Sequence, residues 1–592
     1  MQMRLYRNIF LTIAAAAAFV QSLHAQNLDP TVEVNRAYEG KLMEVHKPVL
    51  DMEVPDTVMR FDLDFDYSVF ESPYKGSYEF NPYLLSMKPG SSGDSSHKFY
   101  LRAGAGYQFH PQLDLVWSPK IGKGFKMDVY ANHRSFVGEY WNQTGRKGAK
   151  DVMILDRLPK SDADRSWKGH DVMSKAGFDA RHDWKKGLFT FGADYFGIIK
   201  KNMLHPVESY NAVDAFIGLA NKKELEDSFH YDFRLDYRYG TDRYNVQSYH
   251  RMNEHIAGLK GSFGPVIKDN HKVLFDLGIE SAFYRDGADA TFGGQAYLLP
   301  HYILEKGPFM LDLGVRMAVL LHKENYDSNY TNKGQFIYPN VRMHFALLPN
   351  AMRFYIHAGG GNKMNTYSSL VSANHHISPR YHTVSNDEPL LDYTVERVSL
   401  VSGFEGRMSS RFSYNLRAGY VYYDRNIVDV LKISEAPYSS SAYIGYGSYE
   451  KWFAGLDWCL DMEGFRFDGS VVYGNSWGKG LETAGFIRPA DFQGNIAAEY
   501  NWKRRIFLGA DCEFVSARKG NAYIFEQEYA HEYLTQAKVP GYADLGLYAE
   551  YVTSRSLAFW VRGGNLLNMT VQRNLMYAEK GPYFTVGICL NL

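Results

Sequence analysis

Several groups in this chain have side chains suited to chemistry, and each is weighed by its spacing. In "RFDLDFDYSVF" (Arg60–Phe70), Asp62, Asp64 and Asp66 alternate with Phe61, Leu63, Phe65, Tyr67 and Val69. Alternation of this kind is one amphipathic strand, whose successive same-face carboxylates stand about 6–7 Å apart, too far to share a calcium ion without other ligands. The apolar face is the better candidate: Phe61, Leu63, Phe65 and Tyr67 are expected to dock on a partner. His375, His376 and His382 lie near Asp387 and Glu388, but their spacing matches no standard zinc pattern, so they read as a solvated outer loop. Gly104 and Gly106, and Gly359 to Gly361, interrupt strand patterns with no helix following, which makes them bulges or close-approach points and not phosphate cradles. Cys459, Cys512 and Cys589 are too few and too dispersed for a disulfide framework. No spacing suggests a Ser, His and acid set. No catalytic residue, metal site or cofactor is expected.

The elements carrying these residues are strands. From about Phe99 onward, period-two segments of roughly ten residues recur, each with one clean apolar face. Phe309, Leu311, Leu313, Val315, Met317, Val319 and Leu321 alternate with Asp312, Gly314, Arg316 and Ala318. Phe412, Tyr414, Leu416, Ala418, Tyr420 and Tyr422 oppose Ser413, Asn415, Arg417 and Gly419, and Ile506, Leu508, Ala510, Cys512 and Phe514 oppose Asp511 and Glu513. Buried charges are costly unless paired or wet. Asp312, Arg316, Arg417, Asp457, Asp511 and Glu513 therefore face water, either the wet interior of a barrel whose apolar stripe meets lipid or the solvent around a two-sheet sandwich.

The connections separate a barrel from a two-sheet sandwich. Ten short polar turns, from Lys120–Lys123 to Thr553–Ser556, alternate with long connections such as Val137–Asp171, Thr366–Leu391, Asn426–Ser441 and Lys519–Val539. All tight turns then share one rim, the arrangement of an outer-membrane barrel with periplasmic turns and extracellular loops. Ten hairpins plus an opening and a closing strand give an all-β transmembrane antiparallel barrel of about 22 strands. The closing segment "GPYFTVGICLNL" (Gly581–Leu592) keeps strict alternation to its last residue, as a strand must if it pairs with the first one and leaves no edge.

Composition agrees. Aromatics make up 15% of the 592 residues, with 52 Gly and only 21 Pro, and no run of 18 or more apolar residues offers a membrane helix. The formal net charge of −1 supplies no global basic field for nucleic acid, though a neutral sum can hide local patches. Residues 1–25 have the form of a signal peptide: Arg4 and Arg7, an apolar run from Ile9 to Val20, and a cut after Ala25. Residues 26–96 are expected to form a short periplasmic N-terminal arm and linker, and 97–592 the barrel.

"VRGGNLLN" (Val561–Asn568), then Tyr577, then the closing strand resemble the end of the barrel domain of TonB-dependent outer-membrane receptors of the Bacteroidota type. Thr585, Gly587, Leu590 and Leu592 match the terminal signal of outer-membrane barrels (polar, Gly, then two hydrophobic positions), with Leu592 where an aromatic is usual. The resemblance implies an outer-membrane location, lipid contact and help from the barrel-assembly machinery during biogenesis. Receptors of this family carry a plug of about 150 residues before the barrel, for which residues 26–96 show no pattern. The expected role is therefore a non-enzymatic, plugless scaffold or conduit subunit working with a separate periplasmic or surface-exposed protein. The alternative is a nutrient-uptake transporter of the TonB-dependent type, or a wide porin. Something must close so wide a lumen: the arm, infolded loops or another protein.

Overall fold

The computed structural model describes residues 99–592 apart from positions 123, 149–150, 160–164, 186, 202–206, 223–228, 245–250, 268–269, 287–288, 325–330, 350, 377–391, 435–439, 483 and 527–530. The segment Arg60–Phe70, with Phe61, Leu63, Phe65 and Tyr67, lies outside the described residues, as do His382, Asp387 and Glu388.

The alternating segments form a closed antiparallel barrel of 22 strands. Its wall starts with Phe99–Tyr107, Gln112–Trp117 and Phe125–Trp141, runs strand by strand from Ser166–Asp183 to Phe465–Trp477, and ends with Phe492–Trp502, Ile506–Val515, Tyr542–Val552, Leu557–Gly564 and Tyr583–Asn591. Among the described residues no helix is long and apolar enough to cross a membrane. The strands do the crossing, because a bilayer tolerates backbone only when every N–H and C=O is paired within the protein. Leu313, Val315, Met317, Phe584, Val586 and Leu592 are exposed on the outer face, whereas Asp312, Ala318, Leu320 and Thr585 are buried on the inner one.

Closure is made between the first and last strands. Tyr100 stands opposite Asn591 and the register holds to Tyr107 opposite Phe584. The Phe99 N–H donates to the Leu592 carbonyl at 3.0 Å and the Leu592 N–H to the Phe99 carbonyl at 2.8 Å. Inside this seam the indole of Trp560 lies over Gly587 and Gly104, which face each other in register, so that a Cβ on either glycine would run into the ring. Trp560 Nε1–H donates to the Ile588 carbonyl at 3.3 Å, and the Arg102 guanidinium covers the ring at 4.5 Å while pairing with Glu550 at 3.3 Å. Gly104 and Gly106 are thus close-approach points; the Gly359 to Gly361 run carries a bulge, where the register shifts.

Strand pairing extends into the long connections. Pairing continues past Val137 to Trp141 opposite Ser166, and past Asn426 to Lys432 opposite Ser441. Strands of 23 and 22 residues greatly exceed the roughly 9–11 needed to cross a bilayer, so their upper parts stand outside the membrane. Among the described residues five further strands occur there: Gln143–Lys147, Met153–Arg157, Phe486–Ile487, Arg518–Glu526 and His531–Val539. Lys432–Ser434 pairs in parallel with Tyr523–Phe525, and Ala537–Lys538 with Met153–Ile154. The result is a small sheet across the long-loop end, packed around Leu155, Leu431, Ile433, Ile487, Ile524 and Val539.

Gly587→Val drives two methyls into Trp560 and the Ala103 carbonyl, an overpacking that costs about 3 kcal/mol. The folded, heat-modifiable band of the barrel on a cold SDS gel should fall sharply in this variant, whereas the lipid-facing Ile588→Leu should leave it unchanged.

Candidate functional site

The lumen is where the inward-facing chemistry converges, and the chain's own loops enter it. After the strand Met352–Asn365, Thr366 caps a helix, Tyr367–Ala373, by accepting from the Ser369 N–H at 3.2 Å. A seven-residue helix is too short to stand alone in water, and here packing holds it. Tyr367, Ser368, Leu370 and Val371 are buried. Tyr367 and Val371 share a core with Tyr210, Ala282, Tyr284, Leu320, Tyr338 and Tyr393 on the inner wall.

The helix is moored to Glu254, which is wholly buried. Its carboxylate accepts from Tyr210 Oη at 2.7 Å, Tyr284 Oη at 2.6 Å, and the Ser368 backbone N–H and Oγ, each at 3.3 Å. Tyr284 Oη also accepts from the Tyr367 N–H at 2.8 Å. A buried carboxylate is tolerable only when its oxygens are met in this way.

Past the helix, His375 Nδ1 lies 2.9 Å from Asp171. The His376 ring stacks on Tyr577 with centroids 3.9 Å apart and meets Tyr140 edge-on at 5.7 Å. Both histidines are buried, which corrects the expectation of a solvated outer loop. The reason is tertiary: Asp171 and Tyr577, distant in sequence, supply a polar and an aromatic partner that make burial affordable. Burial holds the His376 imidazole down at about 3, against the opposing pull of Asp171, and pushes the Tyr577 hydroxyl up.

The connection Asn565–Pro582 enters the same space. Asn565 and Asn568 have φ of 47° and 53°, the left-handed region that Asn tolerates better than most residues, so the "NLLN" motif bends the chain inward. The Asn565 N–H donates to Asp544 at 2.8 Å, and its Nδ2 to the carbonyls of Met569 at 3.1 Å and Gly581 at 3.3 Å. Arg573 bridges Glu513 at 3.0 Å and Asp544, and Tyr542 Oη donates to Glu513 at 2.8 Å. These groups, with Asp171, His375, Arg518 and Glu579, line a chamber of about 130 Å³. Volume on that scale admits a few waters.

The other charges assigned to the interior are there, the acids in ion pairs and Arg316 stacked on a ring. Asp312 and Asp276 flank His301 at 2.8 and 3.3 Å, Arg316 lies over Tyr297 at 4.0 Å, Arg417 pairs with Asp457, and Arg562 pairs with Asp511 at 3.0 Å. Of the terminal-signal residues, Thr585 faces inward, Gly587 lies under Trp560, and Leu590 and Leu592 fall on the lipid-facing side of the seam. The three cysteines are unpaired strand residues. Among the described residues no group of three His, Cys, Asp or Glu side chains is placed to hold a metal ion. Glu254, Asp171 and Arg573 had no signal in the sequence, since lone polar residues are what any lumen wall shows.

A large single-chain barrel with a polar interior into which its own loops fold has the architecture of an outer-membrane β-barrel. Solved structures of that type share the fold. The FrpB iron transporter of Neisseria meningitidis superposes with a TM-score of 0.59 at 10% identity, covering 83% of this chain and 81% of that one. A variant of the ferric enterobactin receptor PfeA of Pseudomonas aeruginosa gives 0.57 at 11%, covering 83% and 80%, and the copper transporter OprC gives 0.57 at 11% with the same coverage. No family model and no curated protein matches by sequence. The chain thus has the barrel fold of TonB-dependent outer-membrane receptors, and its neighbours in structure are transporters and receptors, not enzymes.

Glu254→Ala leaves two tyrosine hydroxyls and Ser368 without their acceptor, a loss of about 1–3 kcal/mol. Hydrogen exchange should show the amides of Tyr367–Ala373 losing protection by that amount while the wall strands keep theirs. His376 predicts a pH dependence as well. Its folded value lies below the ~6.5 of an unfolded histidine, so its packing contributes fully above that pH and the contribution is lost as pH falls toward 3. A nitroxide on Ala373→Cys should gain mobility across that window, and adding His376→Phe should remove the step.

Proposed function

We propose that this protein is a gated, non-enzymatic conduit of the outer membrane, whose extracellular loops are its gate. The observation that carries the reading is the seating of the infolded helix on Glu254. The gate is held by a handful of polar contacts to Glu254 and by the packing of Tyr367 and Val371 against the inner wall; each polar contact contributes about 1 kcal/mol net, and a ligand or partner that favours the open arrangement releases the helix by outweighing both. The transport roles in the names of the structural neighbours support a solute as cargo. A dry, permanently packed interior would not serve such a role.

The second reading makes the barrel a scaffold or conduit subunit of a larger complex, and the amphipathic segment Arg60–Phe70 favours it. Within a periplasmic arm assigned to residues 26–96, Phe61, Leu63, Phe65 and Tyr67 present one apolar face suited to adding a strand to a separate protein. The two readings are compatible if that protein works the gate.

Planar-bilayer recording of the purified full chain separates them. A conduit gated by its own loops should be nearly silent as wild type and conduct steadily after deletion of residues 366–376. A deletion variant that folds and stays silent would overturn self-gating. The complex reading requires a stoichiometric protein to copurify from native membranes and be lost with Phe61→Asp and Phe65→Asp.

A further inference from the structure

The near-zero net charge of the chain conceals a local excess on the short-turn rim. On either side of the closing seam, the turn after Phe492–Trp502 carries Lys503, Arg504 and Arg505, the turn after Tyr542–Val552 carries Arg555, and the turn after Gln112–Trp117 carries Lys120. All five are exposed, their turns contain no Asp or Glu, and none of the five has an ion-pair partner among the described residues. The outer wall directly above is aromatic. Trp502, Tyr551 and Phe559 stand in successive register on the lipid-facing side and are 50%, 49% and 48% exposed, with Trp117 at 45% beyond the seam.

Aromatic side chains in that position mark the level of the lipid headgroups. The cations sit just below it, and the Lys503 ammonium leans outward, 5.5 Å over the Trp502 ring, on the lipid side of the wall and away from the lumen. The turn is fixed in place, with Lys503 and Arg504 both left-handed and the Arg504 N–H donating to Asn501 Oδ1 at 2.8 Å. Fixed, unpaired cations spread along the outer circumference at headgroup depth are matched by an anionic surface that is itself laterally continuous. An acidic protein reaching the pore would be met by charges over the lumen, which is not where Lys503 points.

We propose that this sector of the periplasmic rim, spanning the closing seam, binds the phosphates of anionic phospholipids in the inner leaflet of the outer membrane. The bound headgroups would neutralise the turns that flank the joint between first and last strands.

The full chain, in mixed micelles carrying equal phosphatidylglycerol and phosphatidylcholine, tests this by native mass spectrometry. Wild type should retain phosphatidylglycerol over phosphatidylcholine by roughly tenfold at low salt, with the preference shrinking at high ionic strength. Lys503→Gln, Arg504→Gln, Arg505→Gln and Arg555→Gln combined should abolish it, while Lys185→Gln with Lys306→Gln, in turns away from the seam, should not. If the fourfold variant folds poorly, Lys120→Gln with Arg555→Gln should lower the preference several-fold. Equal retention of both lipids by wild type, or an unchanged preference in the seam variants, overturns the proposal. So does polyglutamate binding to these turns without any lipid preference, which would assign them to an acidic protein instead.

Discussion

Hydrocarbon offers no partner to a peptide group, and from that constraint the rest of this structure follows. Every wall strand must find both neighbours, so the first and last strands have to meet over their whole length. At that joint the backbones approach closely enough that only glycine fits at positions 104 and 587 under the Trp560 ring. Thr585, Gly587, Leu590 and Leu592, which resemble a sorting signal in sequence, are in the fold the residues that make this joint: two turned to lipid or its edge, one turned inward, one absent of side chain so that an indole can cover it.

Closing a wall of 22 strands encloses more space than side chains alone can fill, and the interior answers in two ways. Charges on the wall pair with one another, as Arg417 does with Asp457 and Arg562 with Asp511. The long connections fold inward, where the helix Tyr367–Ala373 settles on Glu254 and the connection Asn565–Pro582 is held through Arg573, Asp544 and Glu513. The interior thus combines discrete polar moorings with apolar packing such as that of Tyr367 and Val371 on the wall, and the moorings are the physical basis for treating the loops as movable.

The wall was legible in the sequence because one period, two residues, governs it throughout. Alternation placed Asp312, Arg417 and Glu513 on the inner face, and the short turns gave the strand count. What lay above the membrane was less legible. The connections from Asn426 and Lys519 carry strand patterns of their own, but their pairing partners, such as Ala537 with Met153, are set by the barrel bringing distant segments together. The burial of His375 and His376 was hidden for the same reason: nothing near them in sequence hints at Asp171 or Tyr577. The motif "NLLN" was recognisable, while its physical role, two left-handed asparagines turning the chain, required the backbone.

The parallel pairings in the small sheet across the mouth, Ala537 with Met153 and Tyr523 with Lys432, bear on the order of assembly. The first joins segments near opposite ends of the barrel, so the entropy of bringing them together has to be met before it contributes anything, whereas the second links segments within the C-terminal third of the chain. Ring closure at the seam provides that proximity. The Ala537–Met153 pairing therefore depends on ring closure, so the part of the sheet that it ties together is coupled to the seam on the far side of the sequence.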